Sequence, residues 1–326
     1  MKKKIFLHIG IPKTANTFLQ RLVFRHIKDI HFIGPQMPEL YDTPIDYINR
    51  LNQLTLKKPP LTEQEISKIK DEILSYIDSI DNEIVFIGQE QIAGQIVHFK
   101  NSPDNTAFLK NIFGEAKVII TFRNQYEWGD SVYNHLMTKD NKYIINEEFL
   151  AFRHGHSINE FFKFNNGKFH KDSYIYKLDW FNNITQNYID AFGKDNVLVL
   201  PYELLKEDLN EFLRRFYDFT GFEPYYPENI ENLNPRTNDK ILKFSPILSR
   251  YSAFTQNLSE SFIKKMILKN DRGLKIFLMK TNIKEMNISK EKFTEEQKEI
   301  IKNYYKESNK KLSELIGIDL GQFGYY

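Results

Sequence analysis

Five consecutive residues, Lys13-Thr14-Ala15-Asn16-Thr17, join a short apolar run to an amphipathic segment. The lysine brings a full positive charge. Thr14, Asn16 and Thr17 bring side-chain donors. A helix beginning there adds backbone N–H groups with no partner inside the helix and the positive end of its dipole. Such a set suits a tetrahedral anion. A nucleoside triphosphatase loop would read Gly-x-x-x-x-Gly-Lys-Ser/Thr. Here proline, not glycine, precedes Lys13. The competing reading is a strand-to-helix turn with an exposed lysine and polar caps.

A second pair stands further on. Phe122-Arg123 closes another apolar run, and Ser131 follows eight residues after Arg123. A guanidinium fork at a strand end and a hydroxyl on the next helix suit a second phosphate. The bland alternative is a capping arginine and a helix-surface serine.

Positioning these groups requires a strand before each loop and a helix after it. The run KKIFLHIG reads as a first strand, and Thr17 to Ile27 as a helix with apolar residues at helical spacing. A proline-bearing loop spans 34–60. Thr62-x-x-Glu65 is a capping box opening a helix to about Ile80. EIVFIG (83–88), KVIITF (117–122) and NVLVLPYE (196–203) read as further strands. Helices are expected over about 125–138, 174–192 and 209–220. Strands alternating with helices predict an α/β, P-loop-like three-layer fold with a central parallel sheet. In such sheets ligands bind beyond the carboxyl ends of the strands. A single domain over 1–326 is expected, with 236–326 a mainly helical part.

The chain has 326 residues, a formal net charge of +2 and no cysteine. Such a balance lacks the basic excess of a nucleic-acid binder, so an anion site must come from a few placed cations. A thiolate metal site, a disulfide scaffold and a cysteine nucleophile are excluded. No apolar run approaches the ~18 residues of a membrane span, and no signal peptide is evident. A cytoplasmic protein is expected.

Taken together, the two loops resemble those of the PAPS-dependent sulfotransferases. PKTANTFLQ is similar to their 5′-phosphosulfate loop, and Arg123 with Ser131 to their 3′-phosphate motif, in the same order and contexts. FGKDNVLVLPYELLKEDLNEFLRRFYDFTGF (192–222) resembles their late strand and helix, and YYKESNKKLSELIGIDL (304–320) a segment of bacterial carbohydrate sulfotransferases. The region from about Gly34 to Asp81 is unmatched. Two departures stand in the first loop: Ala15 replaces the usual glycine and Asn16 the first threonine of a pair. Ala15 is acceptable where its backbone is helical or extended. Gln125, where a proline often stands, and Trp128 look like the bacterial carbohydrate branch.

The resemblance implies that PAPS is the donor, with Lys13, Thr14, Ala15, Asn16 and Thr17 around its 5′-phosphosulfate and Arg123 and Ser131 on its 3′-phosphate. Arg236 would close over the nucleotide from a late basic loop; a surface turn is the alternative. The sulfuryl group carries less charge than a phosphoryl group, so no metal is expected. Lys13 would neutralise the leaving oxygen. The acceptor hydroxyl or amine needs a base within ~3 Å. Glu90, just past the second strong strand, is the first candidate; His135, His98 and His8 are rivals. His8 also reads as a strand core residue with a satisfied nitrogen, and Trp128 as core. The acceptor implied is a carbohydrate or glycolipid, drawn into a pocket formed from 34–81 and the tail, with Phe32, Tyr41, Tyr47 and Tyr143 available to stack on sugars. Two other classes remain: a P-loop small-molecule kinase and a non-catalytic PAP- or anion-binding protein.

Overall fold

The computed structural model describes residues 2–34, 43–57, 59–94, 102–136, 157–177, 180–227, 240–244, 283–287 and 291–326. His98, Tyr41, Tyr143 and Arg236 lie outside these. The chain forms two compact units, one of Met1–Trp128, Tyr174–Leu233 and Glu299–Tyr326, the other of Gly129–Ser173 and Asn234–Lys298.

The first unit is built on a five-stranded, wholly parallel sheet. Its strands are β1 (Lys4–Gly10), β2 (Ile30–Ile33), β3 (Ile84–Gly88), β4 (Lys117–Phe122) and β5 (Val197–Pro201), in the order β2-β3-β1-β4-β5. β1, β3 and β4 are continuous β-branched and aromatic runs, the pattern of strands covered on both faces, and their side chains are almost wholly buried. β2 is an edge strand of four residues, IHFI, whose mixed polarity gave no strand signal. β1 lies between β3 and β4, with His8 opposite Gly88 and Gly10 opposite Thr121. β1 crosses over to β2 on one side while its neighbour β4 crosses over to β5 on the other, so the carboxyl ends of β1 and β4 flank the topological switch point, where such sheets open a crevice.

The longer helices are α1 (Glu63–Asp78), α2 (Ser102–Phe113), α3 (Gln125–Leu136), α4 (Trp180–Phe192), α5 (Leu209–Thr220) and α6 (Glu295–Ile316). The Thr62–Glu65 capping box forms as its sequence predicts. α5 ends at Gly221 with φ 74, a left-handed cap that glycine adopts without a Cβ penalty. α4 packs against β4 and β5, and α2 against α4. Phe6, Phe24, Phe86, Phe216 and Phe222 form an aromatic cluster whose contacting rings have centroids 4.6 to 6.4 Å apart. That cluster fixes the sheet under the segment that follows β1.

Three elements differ from expectation. The helix after the first loop is a composite: Asn16–Phe18 is α-helical, Leu19–Val23 is a π-helical turn and Phe24–His26 is 3-10. A π-turn widens the helix and concentrates at functional sites. The region 34–60 contains two short helices, Asp46–Asn49 and Leu51–Thr55. The part after 236 carries α6 as expected, but Lys240–Phe244 and Ile283–Asn287 pair as antiparallel strands.

In the second unit, the rings of Phe161, Phe162, Phe164, Phe169 and Phe293 meet edge-on or tilted in a chain of contacts. The Phe293 ring leaves no room for a Cβ at Gly129, which it would meet at 2.7 Å. Asp130 accepts from the Phe293 N–H at 2.8 Å, and Asn134 donates to the Glu291 carbonyl at 2.8 Å.

Candidate active site

Parallel strands bring the residues after β1, β3, β4 and β5 to one edge. The loop after β1 is tight. Ile11 N–H donates to the Thr121 carbonyl at 3.0 Å, tying the loop to β4. φ then alternates in sign: 74 at Lys13, negative at Thr14 and 62 at Ala15. Alternating left- and right-handed residues turn successive N–H groups toward one centre, a concavity that binds anions. Ala15 is therefore left-handed, with φ 62 and ψ 25. This corrects the expectation of a helical or extended Ala15. The turn keeps the shape a glycine would give it, at a cost of order 1–2 kcal/mol.

Thr14 and Asn16 turn inward. Thr14 Oγ1 donates to the Ile11 carbonyl at 2.6 Å and meets Thr121 Oγ1 at 3.0 Å. Asn16 Nδ2 donates to the carbonyls of Gly10 and Ile11 at 3.0 and 3.1 Å. Both side chains are buried. Asn16 folds back so closely that a Cβ on Gly10 would lie 1.7 Å from its Oδ1. These two side chains brace the loop, leaving backbone N–H groups as what they offer an anion. Thr17 is half-buried in the first helical turn, and Lys13 is half-buried at the loop tip.

Arg123 follows β4. Its Nη1 donates to the Lys13 carbonyl at 3.3 Å and its Nη2 to Glu127 at 2.9 Å. Its guanidinium carbon stands 4.5 Å from the centre of the Tyr202 ring, after β5. Nε is buried without a hydrogen-bond partner among the described residues. Trp128, one turn further along α3, donates its indole N–H to the Pro12 carbonyl at 2.9 Å. Trp128 is buried, as expected of a core residue, yet it also anchors the first loop. Neither Glu127 nor Tyr202 was singled out in the sequence; the spacing of four from Arg123 to Glu127 on a helix start was the available signal.

Glu90 opens the 3-10 turn Glu90–Ala93 directly after β3. Burial pushes its carboxyl above the usual range, while the Lys13 ammonium and a hydrogen bond with Asn16 pull the other way. Glu90 thus sits beside the first loop, as the sheet order requires. Gln89 N–H donates to the His8 carbonyl at 3.3 Å, Gln89 Nε2 to Asn49 at 2.6 Å, and Gln20 Nε2 to the Gly88 carbonyl at 3.3 Å. Asn49 brings the sequence's unmatched region to the turn that carries Glu90.

His8 is fully buried in β1, with Nε2 3.3 Å from Thr121 Oγ1 and Nδ1 without a hydrogen-bond partner among the described residues. Burial lowers its pKa to about 3. One nitrogen is satisfied, as expected of a core histidine, and the other is not. Ser131 is buried on α3, and His135 lies in the last turn of that helix; both belong to the second unit. Among the described residues, no group of three or more His, Cys, Asp or Glu is placed to hold a metal ion, and no helix is long and apolar enough to cross a membrane.

A sequence model of the sulfotransferase domain matches residues 3–315. The chain belongs to the sulfotransferase domain family. It is accordingly an enzyme of sulfuryl transfer. Similar solved structures are a sulfotransferase from Alicyclobacillus acidocaldarius (18% identity, 72% of this chain and 88% of that one, TM-score 0.43), the sulfotransferase domain of the curacin biosynthetic pathway (14%, 70% and 76%, TM-score 0.41) and a mouse sulfotransferase complexed with PAP (16%, 69% and 61%, TM-score 0.36). No curated protein sequence matches this chain significantly. Within the sulfotransferase frame, the loop after β1, Glu90 and Arg123 are the groups that converge at the strand ends.

Proposed function

We propose that this sulfotransferase uses PAPS as donor and transfers the sulfuryl group to a hydroxyl, or an amine, of a carbohydrate or glycolipid acceptor. The observation that carries the donor half is the concavity at Lys13–Ala15 with Arg123 held against its rim. The backbone N–H groups of that turn grip the 5′-phosphosulfate. Arg123 reads the 3′-phosphate; the assignment of Ser131 and Arg236 to the nucleotide rests on the sequence motif alone. Nε of Arg123 is one donor held ready for that phosphate.

The chemistry is an in-line displacement at sulfur. The acceptor oxygen forms a bond to sulfur as the bond from sulfur to the bridging 5′-phosphate oxygen breaks. The electron pair leaves on that oxygen, and Lys13 neutralises the charge that develops there. Glu90 takes the acceptor proton. Its raised pKa makes it a stronger base than an exposed carboxylate. A lone buried His8 is a poor alternative, since it sits inside β1.

The carbohydrate half rests on the resemblance in 304–320 and on Asn49 and Tyr47, polar and aromatic groups of the helix beside the Gln89–Glu90 turn. The test is transfer of label from sulfur-labelled PAPS to a panel of oligosaccharides, glycolipids, phenols and amines. Label on a glycan hydroxyl supports the reading. Label only on phenols overturns the acceptor class, and label on nothing while ATP with magnesium phosphorylates a panel member overturns the donor.

A further inference from the structure

The strand end that carries Arg123 is clasped from behind. The Tyr325 hydroxyl, fully buried, donates to Glu203 Oε2 at 2.7 Å. The other oxygen of that carboxylate accepts the backbone N–H of Asn124 at 3.0 Å. Asn124 in turn donates through its side chain to the Gly324 carbonyl at 3.0 Å. On the other side of Arg123, the Phe122 ring meets the Tyr325 ring edge-on at 5.7 Å. Both chain neighbours of Arg123 are therefore held by one tyrosine and its carboxylate. The tyrosine itself is pinned by α6, where Asn309 Nδ2 donates to the Tyr325 carbonyl at 3.0 Å.

We propose that Glu203 and Tyr325 are positioning residues of the donor site, whose clasp fixes the backbone around Arg123 and so sets the preference for a 3′-phosphorylated nucleotide. The proposal rests on the donor reading above. A buried carboxylate is a costly way to hold two strands of chain together, and an apolar contact would do it at less expense. What the carboxylate adds is direction. It accepts one N–H from the residue following Arg123, and a shift of that peptide moves the guanidinium directly. A misplacement of about 1 Å costs reaction and binding heavily where a guanidinium must meet a phosphate.

Electrostatics agree with this placement. Burial pushes Glu203 up to about 7, against the pull of the Tyr325 and Asn124 hydrogen bonds, while the Glu127 carboxylate raises it further. Tyr325 faces Glu203, Glu127 and Arg123 and is held well above its usual range, so its hydroxyl remains a donor. The clasp and the phosphate-reading arginine thus share one electrostatic neighbourhood.

The experiment compares PAP and ADP affinities by calorimetry for the intact protein, Tyr325→Phe and Glu203→Gln, with donor KM and kcat measured alongside. Removing the hydroxyl or the charge is expected to lower PAP affinity on the order of tenfold, the scale at which packed networks modulate a neighbouring site. ADP affinity should stay unchanged, and KM for PAPS should rise with kcat retained. Equal PAP preference in all three proteins overturns the clasp and leaves the donor reading intact. No PAP preference in the unaltered protein overturns the donor reading, and the clasp with it. Hydrogen exchange of the unaltered protein gives a test independent of variant folding: PAP, not ADP, should slow exchange in 320–326, and equal exchange with both overturns the proposal.

Discussion

Arg123 donates through Nη1 to the carbonyl oxygen of Lys13 at 3.3 Å, across 110 residues of sequence. The two loops that the sequence offered as separate anion sites are thereby one piece. A cation that reads one phosphate also holds the turn that grips the other. Replacing Arg123 by alanine is expected to weaken PAP binding by about 2 kcal/mol, the worth of a charge-assisted contact. ADP binding should fall much less. Equal losses for both nucleotides would remove the 3′-phosphate role from Arg123.

Ala15 stores strain. Its left-handed backbone costs of order 1–2 kcal/mol, and a glycine there would give back about half of that through a freer unfolded chain. Ala15→Gly should therefore stabilise the protein by roughly 1 kcal/mol or somewhat less, raising the melting temperature about 2 °C for a chain of this size, with PAP affinity kept. A lowered melting temperature would show that the turn is not strained at this residue.

Glu90 is the proposed base. Glu90→Gln should keep PAP affinity and cut kcat about 10²- to 10⁴-fold, the range general bases contribute. Since burial raises its pKa, the unaltered enzyme should lose kcat on acidification at a pH above the ordinary carboxylate range. Retained turnover in Glu90→Gln would move the base to another group.

Much of this was legible in the chain. β1, β3, β4 and β5 are short apolar runs rich in β-branched residues, a length and composition that favour strands, and the Thr62–Glu65 box announced α1. β2 was not legible, because an edge strand of four residues with His31 in it has neither alternation nor length. The site was legible as residue types, Lys13 beside Arg123, but not as orientations. Nothing in the spacing says that Thr14 and Asn16 fold inward onto Gly10 and Ile11, since that follows from the left-handed turns at Lys13 and Ala15. Nor does a local pattern join Glu203 to Tyr325, 122 residues apart. Long-range polar pairs of this kind are set by packing and leave no periodic trace.

His8 and Glu203 predict opposite pH dependences of stability. The folded pKa of His8, about 3, lies below its ordinary 6.5. Its contribution is complete above pH 6.5 and is lost as pH falls toward 3. Glu203, pushed from 4.5 up to about 7, contributes fully below 4.5 and loses that contribution as pH rises through 7. Between those values the two oppose each other. Melting temperature against pH should thus rise more steeply from about pH 4.5 to 6.5 in Glu203→Gln than in the unaltered protein, and should fall over that window in His8→Gln. Parallel curves for all three would contradict both assignments.

The measurement that meets the central claim most directly is calorimetric titration with PAP, with ADP and with ATP plus magnesium as controls. The account predicts tight binding of PAP, weak binding of ADP and none of magnesium ATP. Tight binding of magnesium ATP with none of PAP would contradict it, because the turn at Lys13–Ala15 would then be holding the end of a triphosphate.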